Sequence, residues 1–157
     1  VAVTGVQTCA LPIFGNNIIT FDSTAARTAF EFYNPNGRVG RIETSASSTS
    51  YVTSSDYRLK EDIQPMTGAL AKVSALKPCT YKWKVDGSDG EGFIAHELAE
   101  VCPHAVSGEK DAVNEDGSIK AQGIDTSFLV ATLTAAIQEQ QAIINTLTAR
   151  IEALENK

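Results

Sequence analysis

Ser55 and Lys60 are the two residues of this sequence whose types and spacing could do chemistry together. They stand five positions apart in the stretch TSSDYRLKED, residues 53–62. A serine hydroxyl becomes a good nucleophile when a base removes its proton, and a neutral lysine can be that base. The pair could therefore form a Ser-Lys dyad, with Ser55 as the nucleophile and Lys60 as the general base.

The neighbouring charges bear on whether a lysine at this place can be neutral. A nearby cation such as Arg58 disfavours a charged lysine, whereas Glu61 and Asp62 favour it unless they face water or pair with Arg58. Burial on folding and assembly would therefore have to dominate. On spacing alone an exposed turn capped by Ser54 or Ser55, with Lys60 as a solvated surface charge, is the simpler interpretation, because a serine and a lysine at this spacing are common by chance.

Two other features are weaker site candidates. His96 and Glu97, in FIAHELAE, could orient the dyad, although a strand-to-helix junction with ordinary polar residues is the simpler interpretation. Trp83 is expected to anchor a core rather than to bind a sugar. The stretch DGSDGE, residues 86–91, lacks calcium-loop spacing and is expected to be a turn.

The sequence predicts no metal site and no cofactor. Cys9, Cys79 and Cys102 form no C-x-x-C pair, and His96 and His104 do not stand at zinc-ligand spacing from them. We expect free thiols in a reducing compartment.

The composition is that of one or two small domains. Of the 157 residues, 43% are hydrophobic, and no apolar stretch is long enough to cross a bilayer. The formal net charge of −6 argues against nucleic acid as a partner. Residues 1–55 are neutral and residues 56–157 carry the whole net charge, so a compositional boundary falls at the predicted dyad.

The first residues look foreign to the protein. VTGVQTCALPI, residues 3–13, matches a sequencing-library adaptor codon by codon. We hypothesise that residues 1–13 are a contaminating read end and leave them out of the fold. Finding these codons intact in the gene at its source would refute this. We expect the natural protein to continue upstream.

Residues 14–55 are predicted to form short strands and turns. NIITFDS, TAFEFYN and RVGRIET alternate polar and apolar residues, as half-buried strands do, and NPNG is a turn signal. SASSTSYVTSS, residues 45–55, is too polar to build a core alone. It is either a linker or part of an intertwined β-stem whose missing contacts come from neighbouring chains.

Residues 56–157 have the pattern of a small α+β domain. GALAKVSALKP has helical spacing and ends at a proline, and HELAEVCP predicts a second short helix that ends at Pro103. CTYKWKV and FIAHE are predicted to pair as a hairpin. A second hairpin is expected to turn at Asp116 and Gly117.

The last segment, residues 127–156, predicts a long helix with a heptad seam. Seam positions recur at spacings of four and three, with isoleucines at one position and mostly leucines at the other. Asp125 or Thr126 can cap its start. The seam favours self-association over packing on the helix's own domain, and this pattern alone suits two strands. The seam residues are Leu133, Ile137, Gln140, Ile144, Leu147, Ile151 and Leu154.

Three blocks of the sequence resemble a known family. They are SSDYRLKEDI, GFIAHELAEVCPHAVSGEKDAV and QGIDTSFLVATLTAAIQEQQAIINTLTARIEALE. In this order they resemble the intramolecular chaperone domain at the C-terminus of phage tailspikes and tail fibres, the endosialidase-type self-cleaving domain (peptidase family S74). The resemblance covers residue 53 to the C-terminus. The preceding FYNPNGRVGRIETSASSTSYVTSSD is similar to the end of a fibre shaft.

The resemblance implies a function for each part of the chain. Residues 56–157 would form a homotrimer, help the β-stem of residues 14–55 to fold, and then cut themselves off once. By position, Ser55 is the nucleophile, Lys60 is the base, and the bond between Ser55 and Asp56 is cut.

The chemistry of the cut leaves three routes open. Attack of Ser55 on its own carbonyl would make a strained four-membered ring. Attack on the carbonyl of Ser54 is an easier N-to-O shift and would cut between Ser54 and Ser55. Attack by a Ser55 from another protomer is the third route. Backbone N–H groups near Arg58 to Lys60 are candidates for an oxyanion hole.

The expected architecture is an α+β domain whose long C-terminal helix forms a trimeric coiled-coil-like bundle, preceded by the end of a β-stranded fibre stem. The resemblance implies assembly in the host cytoplasm, with the stem kept on the virion tail fibre and the C-terminal domain released. The expected partners are the other copies of the chain and its own stem. The alternatives are a non-cleaving structural trimerisation module and a receptor-binding fibre tip.

Overall fold

The computed structural model describes residues 19–156 as two compact units, which divide between Ile63 and Gln64. The first unit contains three strands and a short 3-10 turn, and the second combines short strands with helices. The predicted α+β class is therefore confirmed. The prediction for residues 1–13 lies outside the described residues.

A three-stranded antiparallel sheet forms the first unit. β1 (Arg27–Asn34), β2 (Gly37–Ser45) and β3 (Ser48–Thr53) follow one another as a meander, in the order β1-β2-β3. The turn between β1 and β2 lies where NPNG predicts it. Gly37 has a φ of 90° there, a conformation that glycine adopts without steric strain.

The serine- and threonine-rich run of residues 45–55 is mostly a strand. β3 pairs with β2 from Ser45 opposite Ser48 to Gly40 opposite Thr53. The linker alternative is therefore wrong for β3, because β2 supplies hydrogen bonds that composition does not reveal. The strand predicted in NIITFDS is not formed in its described part, residues 19–23.

One face of this sheet is aromatic. Phe30, Ile42 and Tyr51 lie opposite one another in the two ladders, and Phe32 lies beside Phe30 on the same face. In the single chain Phe30 is 53% exposed and Tyr51 is 81% exposed. A small sheet needs a covered apolar face for independent stability, and an exposed aromatic face of this kind is typical of a contact surface.

Residues 64–156 form the second unit, which contains helices and two short ladders. The helices are α1 (Ala69–Ala75), α2 (Ala95–Val101) and α3 (Val130–Glu155); the strands are β4 (Cys79–Lys82), β5 (Asp89–Gly92), β6 (Val106–Ser107) and β7 (Gly123–Ile124). β4 pairs with β5, and β6 pairs with β7, both antiparallel. The two short helices and the long C-terminal helix are thus where the sequence predicts them.

The second strand of the first hairpin differs from the one predicted. The sequence pattern predicts FIAHE as the partner of β4, but β5 is DGEG, residues 89–92, and α2 begins at Ala95. A Cβ atom on Gly90 would lie 2.5 Å from the Tyr81 ring. Gly90 therefore leaves room for that ring beside β4, a contact that local propensity cannot show.

The second hairpin is confirmed in its turn but is shorter than predicted. Asp116 and Gly117 form the tip, and a single bridge joins Val113 to Ile119. The Asp116 carboxylate accepts a hydrogen bond from the Ser118 backbone N–H at 2.9 Å and so closes the turn. The two ends of this segment are joined by the β6–β7 pair.

Two small clusters of buried side chains hold the second unit together. The first is Leu98, Ala105 and Leu129, and the second is Ala69, Ala135 and Ala136. A 3-10 turn, Thr126–Leu129, precedes α3 and is capped by the Asp125 side chain, which accepts from the Ser127 N–H. Asp125, one of the two predicted caps, thus caps the 3-10 turn, whereas α3 itself begins after Leu129 with no side-chain cap.

α3 packs on its own unit only through its first turns. Thr132, Ala135 and Ala136 are its buried residues, and their small side chains let α1 approach closely. From residue 140 to residue 156 every side chain is exposed. At about 100° per residue, the heptad seam lies about a quarter turn away from this buried face.

Glu139 ties α3 to the start of α1. Its carboxylate accepts hydrogen bonds from the backbone N–H groups of Ala69 (3.0 Å) and Leu70 (2.8 Å). These bonds stabilise the charged carboxylate and hold the pKa of Glu139 below its ordinary value of 4.5. The sequence does not indicate this contact, because its partners are about 70 positions apart.

We expect the stabilisation by Glu139 to be lost in acid. A lowered folded pKa contributes stability above the ordinary value, and this stability disappears as the pH falls through the folded pKa. Thermal unfolding of the full chain should therefore show Glu139→Gln less stable than the wild type at pH 7, with the difference shrinking below pH 4.5. Glu152→Gln, at an exposed position of the same helix, is the control. An equal difference at both pH values would contradict the carboxylate's role.

Candidate active site

Ser54 fixes the chain just before the predicted nucleophile. It follows β3, and its backbone N–H donates to the carbonyl of Val39 at 3.1 Å. Its hydroxyl donates to the carbonyl of Arg38 at 3.0 Å. The end of β3 is thus attached to the start of β2 by both the main chain and the side chain of Ser54.

A short 3-10 turn follows Ser55 and brings Lys60 back towards it. The turn spans Tyr57–Leu59, and Asp56 is its N-cap, with the carboxylate accepting from the Arg58 N–H at 2.9 Å. Aspartate is a favoured residue at this position, because its side chain satisfies a free N–H group. The Lys60 N–H donates to the carbonyl of Tyr57 at 3.1 Å and closes the turn.

The structure brings the two predicted dyad residues together. Lys60 Nζ donates to Ser55 Oγ at 2.7 Å. This is within the range in which a neutral lysine could accept the hydroxyl proton instead. Both side chains are exposed in the single chain, so the desolvation that a neutral lysine requires would have to come from assembly. The catalytic roles of Ser55 and Lys60 stay predictions.

Arg58 pairs with Asp56 rather than with Glu61 or Asp62. Its guanidinium contacts both carboxylate oxygens, at 2.9 and 2.6 Å. This contact lowers the pKa of Asp56 and raises the pKa of Arg58. Asp56 therefore largely compensates the positive charge of Arg58, which the sequence suggested as a neighbouring cation for Lys60.

The N–H groups that were candidates for an oxyanion hole are engaged within the turn. The N–H of Arg58 donates to the Asp56 side chain, that of Leu59 to the Asp56 carbonyl, and that of Lys60 to Tyr57. An oxyanion hole made of these donors would require the turn to open. Asp56 thus has a structural role in the site as the cap of this turn. A helix-cap signal in the sequence could have indicated this role.

His96 and Glu97 belong to the second unit, in the first turn of α2. The Oε1 atom of Glu97 lies 3.7 Å from the Nζ atom of Lys77. His96 lines an open apolar groove together with Trp83 and Ile124. Their predicted role in orienting the dyad stays a prediction.

The expectation that Trp83 anchors a core is wrong for the single chain. Its side chain is 54% exposed and packs edge-to-face on the Tyr81 ring, with ring centroids 5.3 Å apart. β4 ends at Lys82, so Trp83 lies just beyond the strand.

The seam residues are exposed along the whole of α3. Their exposed fractions range from 41% for Leu133 to 66% for Ile137, and Gln140 is exposed as well. Their own unit therefore leaves them uncovered, and a contiguous apolar row of this kind is typical of a contact surface. Self-association through the seam stays a prediction.

Within residues 19–156 no three histidine, cysteine or acidic side chains are placed to hold a metal ion together. Cys79 and Cys102 are free and half-buried, whereas Cys9 lies outside the described residues. In the same range no helix has the length and apolar character needed to cross a membrane.

Comparison with protein families gives one finding. Residues 55–107, about a third of the chain, match the family model Peptidase_S74, "Chaperone of endosialidase". The match begins at Ser55 and includes Lys60, α1, α2 and the first hairpin. No curated protein matches the chain significantly. The resemblance to the endosialidase-type intramolecular chaperone family is therefore confirmed over residues 55–107.

Proposed function

We propose that residues 56–157 are the intramolecular chaperone of a phage tail fibre or tailspike, which assembles three chains and then releases itself by one self-cleavage. The observation that carries this proposal is the 2.7 Å contact between Lys60 Nζ and Ser55 Oγ at the first residue of the matched segment. The family match supports the chaperone role.

Assembly would proceed through the exposed seam of α3. The side chains of Ile144 and Leu147, each about half exposed, would become buried between three helices. Joining the chains at their C-terminal ends raises the effective concentration of the preceding strands. This matters because intertwined strands have non-local contacts, fold slowly and expose edges that aggregate. The aromatic face of the sheet supplies a surface for such contacts.

The cleavage would use the dyad once. A neutral Lys60 takes the proton of Ser55 Oγ, and the oxygen attacks a carbonyl carbon. The C–N bond of that peptide breaks, and the amine leaves with the proton from Lys60. Water then hydrolyses the ester, which gives a new carboxylate and restores the serine hydroxyl. The bond is Ser55–Asp56 by the family resemblance, with Ser54–Ser55 as the alternative.

The products would then separate in function. The released fragment would be the acidic part of the chain, and the strand-rich part would stay on the virion after assembly in the host cytoplasm. Without its chaperone the stem can no longer re-equilibrate through it, so its stability becomes a matter of unfolding rate.

A non-cleaving trimerisation module is the second candidate. The exposure of Lys60 in the single chain favours it, because a lysine that acts as a base needs to be shielded from water. In that case the same seam would join the chains and the turn at Asp56 would be only a junction.

Intact mass and light scattering on the refolded wild-type chain distinguish these functions. We expect a trimer and two fragments, while a sample kept in denaturant stays whole because the dyad needs the folded chain. A trimer of uncut chains would select the non-cleaving module. A monomer would remove both.

A further inference from the structure

We propose that Ser54 is a positioning residue that makes the dyad depend on the pairing of β3 with β2. The proposal rests on the self-cleavage proposed above. It assigns a role to a residue that would be neither the nucleophile nor the base.

The argument starts from the two contacts of Ser54. Its N–H bond to Val39 continues the β2–β3 ladder by one step beyond the last pair, Gly40 opposite Thr53. Its hydroxyl bond to the Arg38 carbonyl adds a second attachment to the same strand. A single ladder bond leaves the chain free to pivot about it, whereas two bonds from one residue define its orientation.

This orientation is passed directly to Ser55. The peptide between Ser54 and Ser55 is planar, so only two backbone rotations, ψ of Ser54 and φ of Ser55, separate the anchored residue from the Ser55 side chain. Anchoring Ser54 therefore narrows the positions that Ser55 can take. On the other side, the Asp56 cap holds the turn that carries Lys60. Ser55 therefore lies between an anchor on β2 and an anchor in the turn.

The consequence is an order of events. The hydrogen bonds of the turn at residues 57–59 join residues of the turn and its caps alone, whereas the Ser54 contacts exist only after β3 has paired with β2. A reacting group displaced by about 1 Å can lose about a hundredfold in rate. Cleavage is therefore fast only in chains whose last stem strand is in place, so that an unfinished stem keeps its chaperone.

The test compares cleavage rates of refolded full-length variants by intact mass. Ser54→Ala keeps the N–H bond and loses the hydroxyl bond, and we expect cleavage about 10- to 100-fold slower. Ser54→Thr keeps a hydroxyl at the same place and is expected to restore most of the rate. Ser50→Ala, an exposed serine on the same strand, is the control and should cut like the wild type.

A second measurement separates positioning from folding. In an uncleavable Ser55→Ala background, amide hydrogen exchange of β2 and β3 should be the same with and without the additional Ser54→Ala substitution. Slow cleavage with an intact ladder supports the proposal. Wild-type cleavage by Ser54→Ala, or failure of Ser54→Thr to restore the rate, would overturn it while leaving the dyad standing. An uncut wild-type chain would overturn the dyad and this proposal together.

Discussion

The folded Ser55→Ala and Lys60→Arg variants are expected to stay in one piece under conditions in which the wild-type chain yields two fragments. Alanine removes the nucleophilic oxygen. Arginine keeps the positive charge and a donor towards Ser55, but its guanidinium does not lose a proton in proteins and cannot be a base. A positioned general base raises the rate of such a step by about 100- to 10,000-fold. Loss of cleavage in the Lys60→Arg variant should therefore be visible over days of incubation.

Lys120→Arg is the matched control for this experiment. It makes the same exchange at an exposed lysine of the second unit and should cut like the wild type. Cleavage of Ser55→Ala would place the nucleophile elsewhere, and cleavage of Lys60→Arg would show that Lys60 is not the base. The wild-type fragments also identify the bond, because cuts before and after Ser55 differ by one serine in each fragment.

A charge in the seam is expected to abolish assembly. Ile144 is 46% exposed in the single chain and lies at the middle of the seam, so Ile144→Asp costs the single chain little. In a trimer the substitution would bury three unpaired carboxylates, and each costs several kcal/mol. We expect light scattering to show monomers at concentrations at which the wild type is fully assembled.

Ala149→Asp introduces the same charge on the opposite side of α3 and should assemble normally. If the desolvation of Lys60 comes from assembly, Ile144→Asp should also stay uncut, whereas Ala149→Asp should cut. An assembled Ile144→Asp chain would rule out the seam as the contact. The mass of the wild-type assembly from light scattering also distinguishes a dimer from a trimer. The isoleucine and leucine pattern suits a dimer, and the resemblance implies a trimer.

The parts of the fold that the sequence predicts are those whose causes are local. The turn at NPNG, the cap at Asp125 and the three helices each depend on residues within a few positions. The proximity of Ser55 and Lys60 is of the same kind, because a turn capped by Asp56 is enough to create it. A serine and a lysine at this spacing are common by chance. Here the spacing still indicates proximity, because the Asp56 cap lies between the two residues.

The parts that the sequence does not predict depend on distant residues. Composition cannot decide whether the polar run is a linker, because its hydrogen bonds come from β2. FIAHE has better strand propensity than DGEG, yet DGEG forms the strand, and its Gly90 leaves room for the Tyr81 ring. The contact of Glu139 with α1 has no local signature at all.

The two faces of α3 restrict different movements of the helix in an assembly. Rotation about its axis would displace Ala135 and Ala136 from α1, so each chain resists it internally. Sliding by one heptad leaves both faces correctly oriented and meets no such resistance. In an assembly joined through the seam it would set the amide of Gln140 against Leu133 or Leu147 of a neighbour, where an unpaired amide costs about 1–3 kcal/mol. The proposed assembly would thus have its stagger set by one polar layer, just beyond the turns that the domain holds.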